Sequence, residues 1–102
     1  MKRPIPVKPV PPGEMLAAEF MGPLGLSRAE TTRRLGVPAN RITQIIKGTR
    51  AITPETALRL EALFGWPAAY WMRHQAEYDL DRARQADGPR IRKEVRPVWE
   101  SA

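Results

Sequence analysis

The strongest constraint on the fold is a short stretch near the middle of the chain, where two helical patterns are separated by only four residues, 35–38. Ser27 and Glu30 have the spacing of a capping box, in which the serine hydroxyl accepts from the third helical amide and the glutamate reaches back to the serine amide. Gly36 is expected to end this helix, because a glycine just past the last turn can adopt the left-handed conformation. Pro38 suits the start of another helix, since its φ is already fixed near the helical value. The sequence therefore predicts two short helices joined by a tight turn.

The second of these helices, expected over residues 38–47, has one apolar and one polar face. At 100° per residue the apolar face carries Ile42, Ile45 and Ile46. Four polar side chains fall on the opposite face: Asn40, Thr43, Gln44 and Lys47. Amides match the edge of adenine, lysine reaches guanine or phosphate, and a threonine methyl can meet the thymine methyl. If the isoleucines are buried, the polar row is suited to reading bases in a major groove; four ordinary solvated residues are the alternative.

Glycine and proline mark the ends of three further helices. Apolar spacing predicts the first over residues 14–21, with Gly22-Pro23 stopping it. Thr53-Pro54-Glu55 is a strong helix start, because it places a threonine cap, a proline in first position and an acid at the positive end of the dipole. A fifth helix is expected to begin at Pro67 and to end at Gly88-Pro89. The expected fold class is all-α with five helices.

One domain is expected, because a chain of 102 residues rarely buries enough apolar surface for two cores. We predict that residues 13–87 form this domain. Residues 1–12 contain five prolines and three basic side chains and are expected to be a tail. Residues 88–102 are expected to be a second tail, and their mixture of apolar and basic residues fits either a strand or an irregular segment.

The excess of positive charge is concentrated around the two central helices. The chain has 17 lysines and arginines against 11 acids, for a net charge of +6. Residues 27–50 hold six of the basic side chains and one acid, Glu30, whereas residues 51–87 are net negative. A basic surface favours polyanionic partners such as double-stranded DNA.

Several function classes are disfavoured by what the sequence lacks. It contains no cysteine, so neither a disulfide framework nor a thiolate metal site is expected, and a reducing compartment, the cytoplasm, is the simpler location. His74 is the only histidine, and no nucleophile with its base is evident, so neither a metal site nor an enzyme is expected. No apolar run approaches the roughly 20 residues of a membrane span. No cofactor and no small-molecule substrate are expected.

Residues around the polar row are expected to contact DNA phosphates, and a second copy of the chain is expected to strengthen binding. A helix amino terminus and nearby polar or basic side chains suit the backbone; the candidates are Ser27, Arg28, Arg41, Thr49 and Arg50. A single unit of this kind reads only a half-site, so a two-fold homodimer is expected. Aromatic residues of the fifth helix are expected to supply both core and dimer contacts: Tyr70, Trp71 and Tyr78.

A longer set of residues carries a family resemblance over about three quarters of the chain. Its motifs are Pro12-Gly13-Glu14, Leu24-Gly25-Leu26-Ser27, Leu35-Gly36-Val37-Pro38, Asn40-Arg41-Ile42, Lys47-Gly48, the run from Ile52 to Leu60, Phe64-Gly65 and Tyr70-Trp71-Met72. In these the chain resembles a HigA-type (VapI-like) antitoxin of the Xre helix-turn-helix family. The resemblance implies a lambda-repressor-like domain that binds an inverted-repeat operator as a dimer and represses its own operon. It also implies a RelE-like toxin partner that cleaves messenger RNA on the ribosome.

Carried over by position, the base-reading places of the family fall on Ala39, Asn40 and Gln44, with Arg41 and Thr43 beside them. Ala39 departs from the polar residue that is frequent in the family, which leaves a methyl contact at that place. Two other interpretations stay open at the level of sequence. One is a stand-alone Xre-family regulator without a toxin, and the other is an adaptor whose polar row docks on a protein.

Overall fold

The computed structural model describes residues 10–99, which form five helices and, within that range, no strand. Helix α1 consists of three contiguous segments, and the other four helices follow along the chain. The bounds are Pro12–Met15, Leu16–Met21 and Gly22–Leu24 for α1, Arg28–Leu35 for α2, Arg41–Lys47 for α3, Pro54–Phe64 for α4 and Ala68–Glu94 for α5. The predicted all-α class with five helices is confirmed.

The expectation that Gly22-Pro23 stops α1 is wrong. The middle segment is π-helical, and the N–H of Gly22 donates to the carbonyl of Ala17, five residues earlier. Pro23 then lies at the start of a last short α-helical segment, where its fixed φ suits the helix although it has no N–H to donate. Gly22 also lacks the Cβ that would clash with the proline ring, so it stays helical. The helix ends instead at Gly25, whose φ is +65°.

The two central helices form with the predicted ends, except at the start of α3. Ser27 Oγ accepts from the N–H of Glu30 at 3.0 Å, and Gly36 ends α2 with a φ of +71°. The predicted return bond of the capping box does not form, because the Glu30 carboxylate is bound by arginines of its own helix. α3 begins at Arg41 rather than near Pro38, since the residues between them form a turn in which the Arg41 N–H donates to the Pro38 carbonyl.

The core lies where α1 to α4 and the start of α5 meet. Its buried apolar residues come from every helix and from the loop before α4: Leu16, Met21, Leu35, Ile42, Ile45, Ile52, Ala57, Leu60 and Trp71. Each fully buried leucine or isoleucine stabilises the fold by roughly 1.5–3 kcal/mol through removal from water. An aromatic cluster closes one side, with the Phe20 and Trp71 ring centroids 5.0 Å apart and those of Trp66 and Trp71 4.9 Å apart, edge to face.

A close backbone contact fixes the distance between α1 and α3. A Cβ on Gly13 would lie 2.5 Å from the Cα of Ile46 and would also overlap the Ile45 carbonyl group. Glycine is therefore required at this position, because any side chain would push the two helices apart. The buried face of α3 is thus held against α1 by backbone as well as by isoleucine side chains.

The last helix is longer than the sequence predicted. Gly88-Pro89 was expected to end it, but α5 continues through Pro89 to Glu94, which corrects that boundary. Proline tolerates the helical φ, and the glycine before it has no Cβ to clash with the ring. Arg90 pairs with Asp87 on one side of the proline and with Glu94 on the other, which supports the helix across the break in its hydrogen bonds. Residues 95–99 are irregular.

Candidate nucleic-acid interface

The polar row predicted on α3 faces outward, because the opposite face of the helix is in the core. Ile42 and Ile45 are buried and Ile46 is half-buried. On the other side Ala39, Asn40 and Lys47 are exposed, while Thr43 and Gln44 are half-buried. Asn40 occupies the cap position of α3 without a side-chain cap bond, so its amide is not used to hold the helix end. The structure thus places all five predicted base-reading residues on or just before one exposed helix.

The loop after α3 returns to Gln44 through three hydrogen bonds. Gly48 ends the helix with a φ of +81°, which turns the chain back on itself. The Thr49 N–H and hydroxyl then both donate to the Gln44 carbonyl, at 3.0 and 3.2 Å. Arg50 Nε donates to Gln44 Oε1 at 2.7 Å. Thr49 and Arg50, both exposed, are therefore held beside the polar row rather than trailing away from it.

Ser27 and Arg28 lie at the amino end of α2, and the arginines of its last turn are paired with Glu30 of its first turn. Ser27 and Arg28 are exposed, next to the backbone N–H groups of the first turn. Glu30 is bound by Arg34 Nε at 2.7 Å and by Arg33. The hydrogen bond from Arg34, together with the charges of both arginines, holds the pKa of the Glu30 carboxyl below its usual value. Arg28, the first residue of α2, is exposed at the other end of the helix from these arginines.

Arg41 has a structural contact that its predicted role did not include. Its side chain is half-buried, and Nη1 donates to Thr56 Oγ1 of α4 at 3.3 Å. A guanidinium has five N–H donors, so one bond to the protein leaves others for a phosphate. The residue ties the first turn of α3 to α4, which fixes the angle at which the polar row is presented.

A residue that sequence reasoning missed anchors the loop from the other side. Gln75 of α5 is buried, its Oε1 accepts from the Ile52 N–H at 2.8 Å, and its Nε2 donates to Asp79 Oδ1 at 3.0 Å. The signal available in the sequence is a polar residue one turn after Trp71, on the face of α5 that packs on the core. This bond links the long helix to the segment that carries Thr49 and Arg50.

The three residues predicted for dimer contacts occupy different environments. Trp71 is fully buried in the core, so its assignment to a dimer surface is wrong: the side chain is already covered by its own chain. Tyr70 is 44% exposed and Tyr78 is half-buried, so both have surface available. His74, next to them on α5, lies with Nε2 2.7 Å from the Val10 carbonyl, which connects α5 to the segment before α1.

Within residues 10–99, no group of three or more metal-ligating side chains is close enough to hold a metal ion. Over the same range, none of the helices combines the length and the apolar character that crossing a membrane requires.

Helices α2 and α3, with the short turn between them and the exposed polar row, define a helix-turn-helix. A family model described as helix-turn-helix matches residues 18–71, more than half of the chain. The chain therefore belongs to the helix-turn-helix family of the Xre type, as its sequence motifs indicated.

Named relatives and solved structures agree with this assignment. Virulence-associated proteins A and I of Dichelobacter nodosus are 37% and 43% identical, over 91% and 72% of this chain and 88% and 68% of their own lengths. Antitoxin HigA-1 of Vibrio cholerae is 33% identical over 72% of this chain and 69% of its own.

Among solved structures, the Pseudomonas aeruginosa antitoxin HigA with the higBA promoter superimposes with a TM-score of 0.87. Its sequence is 36% identical to this chain, and the match covers 90% of this chain and all of that one. A HigA-family addiction module antidote protein from Coxiella burnetii gives a TM-score of 0.85 at 39% identity, again over 90% of this chain and all of that one. The resemblance to HigA-type proteins inferred from the sequence is confirmed.

Proposed function

We propose that this chain is the antitoxin of a type II toxin-antitoxin pair and represses its own operon by sequence-specific binding to double-stranded DNA. The observation that carries the DNA-binding part is the polar row of α3, which burial of Ile42 and Ile45 turns outward. The outward row, the basic surface around it and the similarity to the structure of an antitoxin with its promoter support the same function. We propose that this binding takes place in the cytoplasm. The proposed function involves no enzymatic step and no cofactor.

The residues divide into two roles in this proposal. Base edges in the major groove are read by the exposed row: Ala39, Asn40, Thr43, Gln44 and Lys47. Phosphates are contacted by residues around it, which set the register without carrying sequence information: Ser27, Arg28, Arg41, Thr49 and Arg50. Two copies of the chain, joined as a homodimer through a surface that includes Tyr70 and Tyr78, would place two α3 helices on the halves of an inverted repeat.

A mobility-shift titration with the DNA immediately upstream of the chain's own coding sequence tests the assignment. Asn40→Ala or Gln44→Ala is expected to weaken the free energy of binding to this site by roughly 1–3 kcal/mol, because a base contact is lost. Binding to unrelated DNA should change little. Arg28→Ala is the matched control: it should weaken binding to both DNAs alike and reduce the salt dependence. If both kinds of substitution had the same effect, the division into base-reading and phosphate-contacting residues would be wrong.

The proposed toxin partner is a small RelE-like protein that cleaves messenger RNA. The antitoxin names carried by similar proteins support a toxin partner, and the RelE-like class is what the family resemblance implies. Expression of the neighbouring gene alone should arrest growth, and coexpression of this chain should restore it. A neighbouring gene product without toxicity would favour the second candidate, a stand-alone Xre-family regulator, which the same fold and the same polar row also fit.

A further inference from the structure

The hydrogen bond between Arg50 and Gln44 decides which end of the Gln44 amide faces outward. A guanidinium has only N–H donors, so it is the carbonyl oxygen of the amide that faces Arg50, at 2.7 Å from Nε. The amide nitrogen, on the other arm of the planar group, is therefore directed away from Arg50. The amide must be turned this way because a guanidinium can form a hydrogen bond with the amide oxygen but not with the amide nitrogen.

The loop geometry keeps Arg50 in place. Two bonds from Thr49 to the Gln44 carbonyl fix the backbone immediately before Arg50. The buried side chain of Gln75 holds the Ile52 N–H, two residues after Arg50, at 2.8 Å. Arg50 is thus held from both sides of the loop, although its own side chain is exposed.

This orientation changes the base that Gln44 suits. A glutamine reads adenine by donating to N7 and accepting from the N6 amine, which requires both arms of the amide. Arg50 occupies one of the two lone pairs of the Gln44 amide oxygen. Its positive charge beside the other lone pair disfavours the approach of the adenine N6 donor and favours acceptors, and the guanidinium itself has donors and no acceptor. Guanine presents two acceptors, O6 and N7, on the same edge.

We propose that Arg50 is a positioning residue that commits Gln44 to guanine in place of adenine. The proposal rests on the DNA-reading role of α3 proposed above and adds the identity of one base and the residue that selects it. In this role Arg50 acts through Gln44 with its Nε, which leaves its other donors for the phosphate contact proposed above. That contact would affect all sequences alike and leave the base preference unchanged.

Selection from a double-stranded DNA library with a randomised central segment tests the proposal with the full chain. The position at which Gln44→Ala loses its preference identifies the base pair that Gln44 reads. The unsubstituted chain should select guanine there. Competition between duplexes that differ only at this pair should show Arg50→Ala moving the guanine-to-adenine affinity ratio toward adenine by about tenfold. Arg50→Lys, whose ammonium is also a donor only, should keep the preference for guanine.

Arg28→Ala removes one charge from the same surface and should weaken both duplexes without altering their ratio. Selection of any other base by the unsubstituted chain, or an unchanged ratio in Arg50→Ala, would overturn the proposal. If Gln44→Ala kept the base preference of the unsubstituted chain at every position, α3 would not read DNA through this residue. That result would contradict the proposed function itself. Because Arg50 is exposed, circular dichroism of its variants should match that of the unsubstituted chain.

Discussion

The two ends of α5 belong to regions that are held together in different ways. The first region, which we call the body, comprises α1 to α4 and residues 68–79 of α5; there Trp71 and Gln75 are buried among the other helices. The second region, the distal half, comprises residues 80–94, and none of its residues is buried. Its side chains are paired within the helix, as in Gln85 with Asp81 at 2.9 Å and Arg90 with Glu94 at 2.8 Å.

A continuous helix can therefore have two sources of stability. Exposed pairs three or four residues apart contribute roughly 0.2–0.5 kcal/mol each and are screened by salt. One buried aromatic side chain in the body contributes several times as much. Substitutions in the body are therefore expected to change the stability of the fold and the presentation of α3, whereas substitutions in the distal half should act locally.

The largest effect should come from Trp71→Ala. The side chain is fully buried, and its indole N–H has no acceptor among the described residues, so its contribution is apolar packing. Truncation should lower the free energy of unfolding by about 3–5 kcal/mol, measured by urea denaturation. Leu80→Ala, on the same helix but 50% exposed, is the control and should cost less than about 1 kcal/mol. Equal losses would show that the distal half is as well packed as the body.

The second largest effect is expected from Gly13→Ala, which should lower the free energy of unfolding by roughly 1–3 kcal/mol through overpacking. The added Cβ meets the backbone of α3, which cannot move aside as a flexible side chain can. The midpoint of thermal unfolding should fall, and affinity for operator DNA should fall with it, because α3 must shift. An unchanged midpoint would contradict the close approach of α1 and α3.

Gln75→Leu should lower the free energy of unfolding by about 1–3 kcal/mol, because it leaves the Ile52 N–H without its hydrogen-bond acceptor. Amide exchange at Ile52, measured by NMR, should accelerate more than exchange in the core of α4. Gln85→Leu is the matched control in the distal half, where the lost bond is exposed, and it should alter unfolding by about 0.5 kcal/mol or less. A larger effect of the control than of Gln75→Leu would reverse the comparison between the two regions.

The smallest effect concerns the pH dependence contributed by Glu30. Its pKa is lowered in the fold by the Arg34 hydrogen bond, so the ionised carboxylate stabilises the folded state above the usual carboxyl pKa. This contribution is lost as the pH falls through the lowered value. The denaturation midpoint of the unsubstituted chain should therefore exceed that of Glu30→Gln slightly at neutral pH, and the two should converge on acidification. A gap that widened in acid would contradict this sign.

The prolines of the chain show where sequence reasoning succeeded and where it failed. Proline was correctly interpreted at Pro54, where it follows a threonine cap at the start of a helix. Gly22-Pro23 and Gly88-Pro89 were interpreted as stops, yet both lie within helical segments. A stop signal describes a local preference, and a π-helical segment in one case and flanking ion pairs in the other were enough to override it.

The candidate site was predictable in outline but not in its internal bonds. The outward direction of Asn40 and Gln44 followed from the isoleucine spacing alone. The contact between Arg41 and Thr56, and the burial of Trp71 away from any dimer surface, did not. Both depend on how α4 and α5 pack, which no spacing within one helix specifies.

Features that arise between residues close in the chain could be predicted from the residues alone. The Ser27 cap, the glycines that end α2, α3 and α4, and the two faces of α3 are of this kind, since each depends on residues within one or two turns. Helix packing was needed to bring Gln75 to Ile52, 23 positions away, and Gly13 to Ile46. The physical reason is that hydrogen bonding and steric exclusion act over a few ångströms of space, and the packing of helices determines which distant residues come that close.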